Sequence, residues 1–140
     1  PIDGTGYQCF TREWKDGDSL ILTLDLRVQT VVPPEGSCNE DDFFAYRRGP
    51  VMLGADARLG KDPEEVFAVT HDTENIVHGA KQTQCPEVPE AKVSVELPTD
   101  DGKTVCLIDY SSCGKTWDKT SRCAVWLSNG RTKHMITVVR

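Results

Sequence analysis

A chain of 140 residues with 38% hydrophobic and 27% charged side chains has the size and composition of one soluble globular domain, long enough to bury about two-thirds of its unfolded surface. Its net charge of −6, with Lys and Arg scattered rather than striped, speaks against nucleic acid and against a membrane surface as partners. No apolar run approaches the roughly 20 residues that cross a bilayer, and no secretory leader is visible.

The first element follows the turn residues Asp16-Gly17-Asp18. Leucine recurs at positions 20, 22, 24 and 26, and Val28 closes the series. Ile21, Thr23, Asp25 and Arg27 fill the places between, so a strand here presents an apolar ridge on one face and mostly polar groups on the other. The expectation is a half-buried strand of an antiparallel sheet. Pro33-Pro34-Glu35-Gly36 and Asn39-Glu40-Asp41-Asp42 then read as an exposed acidic loop. The next run, FFAYRRGPVMLGADARL, is strand-like on both sides of Gly49-Pro50, where proline demands an edge, a bulge or a break. From Gly60 to Lys92 the chain is polar and poorly periodic. Asp62-Pro63-Glu64-Glu65 resembles an N-cap and first turn, which predicts one short helix. Pro86 and Pro89 mark an extended connection into Val93.

Two hairpins follow. A two-residue turn at Asp101-Gly102 pairs Leu97 with Cys106, Val95 with Ile108 and Val93 with Tyr110 on one apolar face, leaving Ser94, Glu96 and Asp109 on the solvated face. Asn129-Gly130 joins CAVWLS to KHMITVV, pairing Trp126 with Lys133 and Val125 with His134. Roughly six to nine strands and at most one short helix predict an all-β, antiparallel, jelly-roll-like sandwich over residues 1–140. The start at Pro1 and the end at Arg140, after the strand-like MITVV, read as cuts in a longer polypeptide or as a processed product.

The six cysteines, at 9, 38, 85, 106, 113 and 123, include no C-x-x-C pair. Thiols buried as small hydrophobes are the leading reading, which favours the cytoplasm over secretion. A cross-linked secreted framework is the other. His71, His78 and Cys85 lack the close pairing typical of zinc ligands, and no metal or cofactor is assigned. Asp16, Asp18 and Asp101 lie in glycine turns where they serve local backbone bonding, with calcium the alternative. A glycosidase needs two carboxylates across a cleft. Asp25, Glu96 and Asp109 alternate with apolar neighbours as a solvated face does, so no catalytic residue is assigned. Nothing ties His134 to Cys123 or Ser111 as a nucleophile pair. The polar loop SSCGKTWDKTSR is the better binding candidate. Trp117 there has the shape to stack on a sugar ring, with Asp118, Lys119 and Arg122 donating or accepting hydrogen bonds. Alternatively Trp117 folds back over the core, and Trp14 and Trp126 serve as core or edge packing.

Three passages, in order, resemble landmarks of the bacterial β-L-arabinofuranosidase family. GYQCFTREWKDGDSLILTLDLRV matches its R-x-W-x-x-G-D passage and alternating leucines, at Gly6, Tyr7, Arg12, Trp14, Gly17 and Asp18. YRRGPVMLGADARL matches its R-G-P and following strand, at Arg48, Gly49 and Pro50. LIDYSSCGKTWDKTSRCAVWL is similar to its tyrosine-centred loop and V-W strand, at Val125-Trp126. The resemblance spans most of the chain and implies a non-catalytic β-sandwich region that follows an (α/α)6 catalytic barrel. The family's zinc-bound cysteine and glutamate belong to that barrel, and no motif of this chain matches them. The implied partner is the parent's catalytic barrel, with oligosaccharide a further ligand. An autonomous carbohydrate-binding module is the alternative.

Overall fold

The computed structural model describes residues 6–7, 9–37, 42–116, 118 and 121–130. Among these, eight strands follow one another: β1 (Val28–Val31), β2 (Phe43–Arg48), β3 (Val51–Asp56), β4 (Lys81–Gln82), β5 (Ser94–Pro98), β6 (Thr104–Asp109), β7 (Cys123–Ala124) and β8 (Leu127–Ser128). Two 3-10 turns, Ala57–Leu59 and Tyr110–Ser112, follow β3 and β6. The chain is all-β and antiparallel, in a strongly curled sheet ordered β1-β2-β3-β6-β5-β4. No helix among the described residues is long and apolar enough to cross a membrane.

Gly49-Pro50 makes the tight β2–β3 turn, with Arg48 opposite Val51 and Gly49 in the left-handed region at φ +57°. Proline takes a turn position where no ladder donor is needed. Past Tyr46 and Leu53 the two strands part. Leu127 of β8 pairs with Phe44 of β2, while Ala124 of β7 pairs with Ala55 of β3. The run CAVWLS is therefore split at Val125-Trp126 into two short strands rather than one. The strand expected at Lys133 and His134 lies outside the described residues.

The β5–β6 hairpin forms where expected, but one residue out of register. Leu97 faces Val105, Val95 faces Leu107, and Glu96 faces Cys106. The loop holds an extra residue: Thr99 N–H donates to Lys103 O at 2.9 Å, and Gly102 takes φ +78°. A three-residue turn with a left-handed glycine is the next most common hairpin connection. The slip moves every β6 side chain to the other face. Val95, Leu97, Val105 and Leu107 enter the main core with Phe44, Tyr46, Leu53, Phe67 and Leu127. Cys106 and Ile108 turn to the opposite face, where a second cluster gathers Cys85, Val88, Leu59, Ala91 and Cys113.

Two further expectations are corrected. Asp62–Glu65 forms one turn, not a helix. Asp62 Oδ1 accepts from Glu64 N–H, Glu65 Oε1 accepts from Asp62 N–H, and Glu65 N–H donates to Asp62 O. The reciprocal capping arrangement is present, but the next residues are drawn to the sheet instead: Phe67 N–H donates to Ser128 O, and Val69 bridges to Thr99. Asp42, expected in an exposed loop, is buried, and its carbonyl accepts from Asn129 N–H at 2.8 Å.

Candidate functional site

The leucine ridge is the largest departure from expectation. Only Val28 of the series belongs to a strand. Residues 18–26 run without regular structure, and Leu20, Ile21, Leu22, Leu24 and Leu26 are 61%, 86%, 72%, 56% and 43% exposed. The alternation is that of a strand, but no ladder partner is present among the described residues. The last leucine is anchored: Leu26 Cδ2 lies 2.7 Å from where a Cβ on Gly49 would be, so the ridge meets the sheet at the β2–β3 turn.

Its N-terminal flank is ordered by its own side chains. Arg12 Nη2 donates to Asp18 Oδ2 at 2.9 Å, and the guanidinium carbon lies 4.9 Å from the Trp14 ring centroid. Lys15 N–H donates to the same carboxylate, and Asp18 N–H returns to Lys15 O around Gly17, at φ +88°. The residues of the R-x-W-x-x-G-D passage thus form one local unit. The cation–π contact leaves Trp14 51% exposed, not packed in the core. Trp126 is likewise exposed, at the bend between β7 and β8.

Of the four residues expected at a sugar-binding loop, Trp117 and Lys119 lie outside the described residues. Asp118 is exposed, and its carbonyl accepts from Ser121 N–H at 3.1 Å. Arg122 reaches back to an ion pair with Asp62, while its carbonyl accepts from Ala57 N–H at 2.9 Å. The loop is thereby tied to the 3-10 turn after β3.

The carboxylates divide sharply. Asp25 is exposed and chelated by Arg27, whose side chain and then backbone N–H hold its carboxyl down at about 2. Glu96 lies on β5 opposite Cys106. Asp109, expected on a solvated face, is buried. Its Oδ1 accepts from the N–H groups of Lys92 and Val93, and its Oδ2 from the hydroxyls of Ser111 and Ser112. The correction follows from the same one-residue slip and from the Tyr110–Ser112 turn that wraps it.

Beside it, a network absent from the sequence expectations centres on Asp56 and Arg58. Arg58 Nη1 donates to Glu90 Oε1 at 2.7 Å and Nη2 to Ser112 O at 2.9 Å, while Gly114 N–H donates to Asp56 Oδ2 at 2.8 Å. Burial is the largest influence on both aspartates and pushes their carboxyls up. For Asp56 the Arg58 side chain and the Gly114 and Arg58 N–H groups outweigh it; for Asp109 the Ser111 hydroxyl, the Val93 N–H, the Ser112 hydroxyl and the Lys92 N–H do so. Both are held at about 2. Ionised carboxylates with their oxygens occupied hold no proton to give near neutral pH. Their action is to clip three loops to the end of the sheet. An Asp two residues before an Arg, at a strand end, was the only signal of this in the sequence.

The histidine–cysteine series is dispersed. His71 packs edge-on against Phe44, with centroids 5.1 Å apart; His78 pairs with Asp72 at 2.6 Å; Cys85 is buried in the second cluster. Among the described residues no three His, Cys, Asp or Glu side chains converge to hold a metal ion. Asp18 and Asp101 serve their own turns, Asp101 through Thr99, Lys103 N–H and the Lys103 ammonium. A cleft of about 400 Å³ opens beside the ridge, between Leu26, Arg48, Ile76, His78 and Lys81.

Comparison with protein-family models, with curated proteins and with solved structures finds no match to this chain.

Proposed function

We propose that this chain is a non-catalytic β-domain whose leucine ridge docks on a neighbouring domain, the catalytic (α/α)6 barrel of a bacterial glycoside hydrolase. The observation that carries the docking role is the exposure of Leu20, Leu22 and Leu24 in an unbroken strand-like alternation, with Ile21 exposed between them. An apolar stripe of that kind is characteristic of a surface that another body covers. The glycoside hydrolase identity of that body rests on the three passages that resemble the β-L-arabinofuranosidase family. The self-contained Arg12–Trp14–Asp18 unit and the Leu26–Gly49 contact join two of them in space.

Hydrogen exchange read by mass spectrometry tests this reading, on the chain alone and on the chain joined to a barrel of that family. Protection of amides 20–26 only in the joined protein is expected. Equal, fast exchange in both would overturn it.

A second reading, an autonomous carbohydrate-binding module, draws on the exposed rings of Trp14, Tyr110 and Trp126, at 51%, 55% and 44%. Rings of that type offer stacking faces for a sugar. A titration with plant and bacterial oligosaccharides, followed through indole resonances, separates the two. Shifts on these rings or on Trp117 favour the module; unmoved spectra at millimolar sugar leave the docking role.

A further inference from the structure

Four of the cysteines gather on the outer face of the sheet. Cys106 points out of β6 into the second cluster, which also holds Cys85 from the 83–93 loop, together with Val88 and Ile108. The other pair assembles around Asp56. Cys123 stands opposite Asp56 in the β3–β7 ladder, and the Asp56 carboxylate accepts from the N–H of Gly114, the residue after Cys113. Asp56 thereby draws both cysteine-bearing segments to one point. Glycines make the space for the sulfur atoms. A Cβ on Gly54 would come within 2.8 Å of Cys113 Sγ, and one on Gly114 within 3.2 Å of Cys123 Sγ.

The apolar layer of this face is thin, and the polar clips that hold its loops gather around Asp56 and Asp109 at the end of the sheet. Among the described residues, only Cys85, Val88 and Ile108 are buried in its cluster. Among their described residues, the loops it must retain, 83–93 and 110–122, contain little regular structure. Cross-links of this kind commonly supply what a thin apolar layer cannot.

We propose that Cys85–Cys106 and Cys113–Cys123 close as disulfides that fasten these loops and β7 to the sheet. The reaction is thiol–disulfide exchange with a small-molecule disulfide such as oxidised glutathione. In each pair one thiol loses its proton and attacks a glutathione sulfur. The glutathione S–S bond breaks, a protein–glutathione mixed disulfide forms, and one glutathione leaves as the thiol. The second cysteine then displaces the other glutathione. Each protein pair gives up two electrons and two protons, and each oxidised glutathione becomes two thiols. The domain then belongs to an oxidising compartment, and reducing conditions release its outer loops.

The experiment uses the full chain, refolded from denaturant in a glutathione redox buffer, with remaining thiols blocked by iodoacetamide. Non-reducing digestion with a protease that cleaves before aspartate cuts at Asp72, Asp100, Asp101, Asp109 and Asp118, so the four cysteines fall in four different peptides. The expected linked species are 72–99 with 101–108, and 109–117 with 118–140, each separated by reduction. Alkylated thiols at these positions, or links from any of the four to Cys9 or Cys38, would overturn the proposal. Cys123→Ser provides a second readout. It is expected to leave Cys113 alkylated while the 72–99 link to 101–108 persists, and loss of both links would contradict two independent pairs.

Discussion

Arg58 folds back onto Asp56 through two parallel hydrogen bonds, Nε to Oδ1 and Nη2 to Oδ2, each of 2.9 Å. The Asp56 side chain is 2% exposed and that of Arg58 21% exposed, so the pair is largely removed from water. Removing one partner of such a pair strands the other charge. Arg58→Ala is expected to cost about 3 kcal/mol or more in urea unfolding. Arg58→Lys keeps the charge but loses the fork, and is expected to recover only part of that stability. Equal midpoints for the lysine variant and the parent would show that the fork geometry contributes nothing.

Acid unfolding should show the same network. The folded Asp56 and Asp109 carboxyls titrate at about 2, against an ordinary value of 3.8. A lowered folded value means that the native state holds the ionised form more firmly than the unfolded chain does. The stabilisation is complete above pH of about 4 and drains away as the pH falls through about 2. Asp109→Asn is expected to be less stable at neutral pH and to show a shallower loss across that window. An unchanged acid limb in circular dichroism would contradict it.

Gly54 is tightly enclosed on the outer face. A methyl group there meets Cys113 Sγ at 2.8 Å and Ala124 O at 3.2 Å. Gly54→Ala is expected to lower stability by about 1–3 kcal/mol through overpacking, read as a shift of the urea midpoint at constant slope. It also pushes the Cys113 sulfur, so the 109–117 link to 118–140 should weaken in parallel.

Thiol reactivity in the fully reduced protein provides a fourth prediction. Cys9 is exposed, whereas burial, first among the causes, pushes the Cys113 thiol up to about 12 and raises Cys106 as well. The thiolate is the reactive form. Timed alkylation with peptide mapping is expected to label Cys9 first, with Cys106 and Cys113 following only as the protein opens. Simultaneous labelling of all three would show that the outer face is loose.

A polar residue in the ridge should leave this chain's own stability almost untouched. Leu22→Asp lies at a position 72% exposed, where substitutions normally change stability by less than about 0.5 kcal/mol. Binding of a hydrophobic dye, or of a joined barrel, is expected to fall instead. A loss of more than about 2 kcal/mol in unfolding would mean that Leu22 contributes to this chain's own core.

The all-β class was legible because Phe44, Tyr46, Leu53, Val95, Leu97, Val105 and Leu107 alternate within their strands, and the pleat converts that alternation into one buried face. The Asp101-Gly102 hairpin was legible as well, but not its register. Whether the loop holds two residues or three depends on which φ Gly102 adopts and on the Thr99–Lys103 bond, and that single residue moved Cys106 from the expected core to the outer face. The Leu20–Leu26 alternation shows the limit from the other side. A pattern records which face wants cover, but the cover must come from elsewhere in space, and no spacing rule names it. Asp56, Arg58 and Glu90 illustrate a third case. Their meeting depends on a curled sheet bringing a strand end, a loop and a 3-10 turn together, which leaves no periodic trace.

The wedge formed by Cys123–Ser128 has a consequence for how the chain acquires its shape. β2 and β3 are neighbours in sequence and can zip from Gly49-Pro50 at once, but only as far as Tyr46 and Leu53. Phe44 waits for Leu127 and Ala55 for Ala124. During synthesis the far ends of this first hairpin therefore stay unpaired until nearly all of the described chain has emerged. Such non-local closure is slow, and open strand ends invite pairing with other molecules in the meantime. The last of the described strands thus decide whether the first hairpin is completed within its own chain.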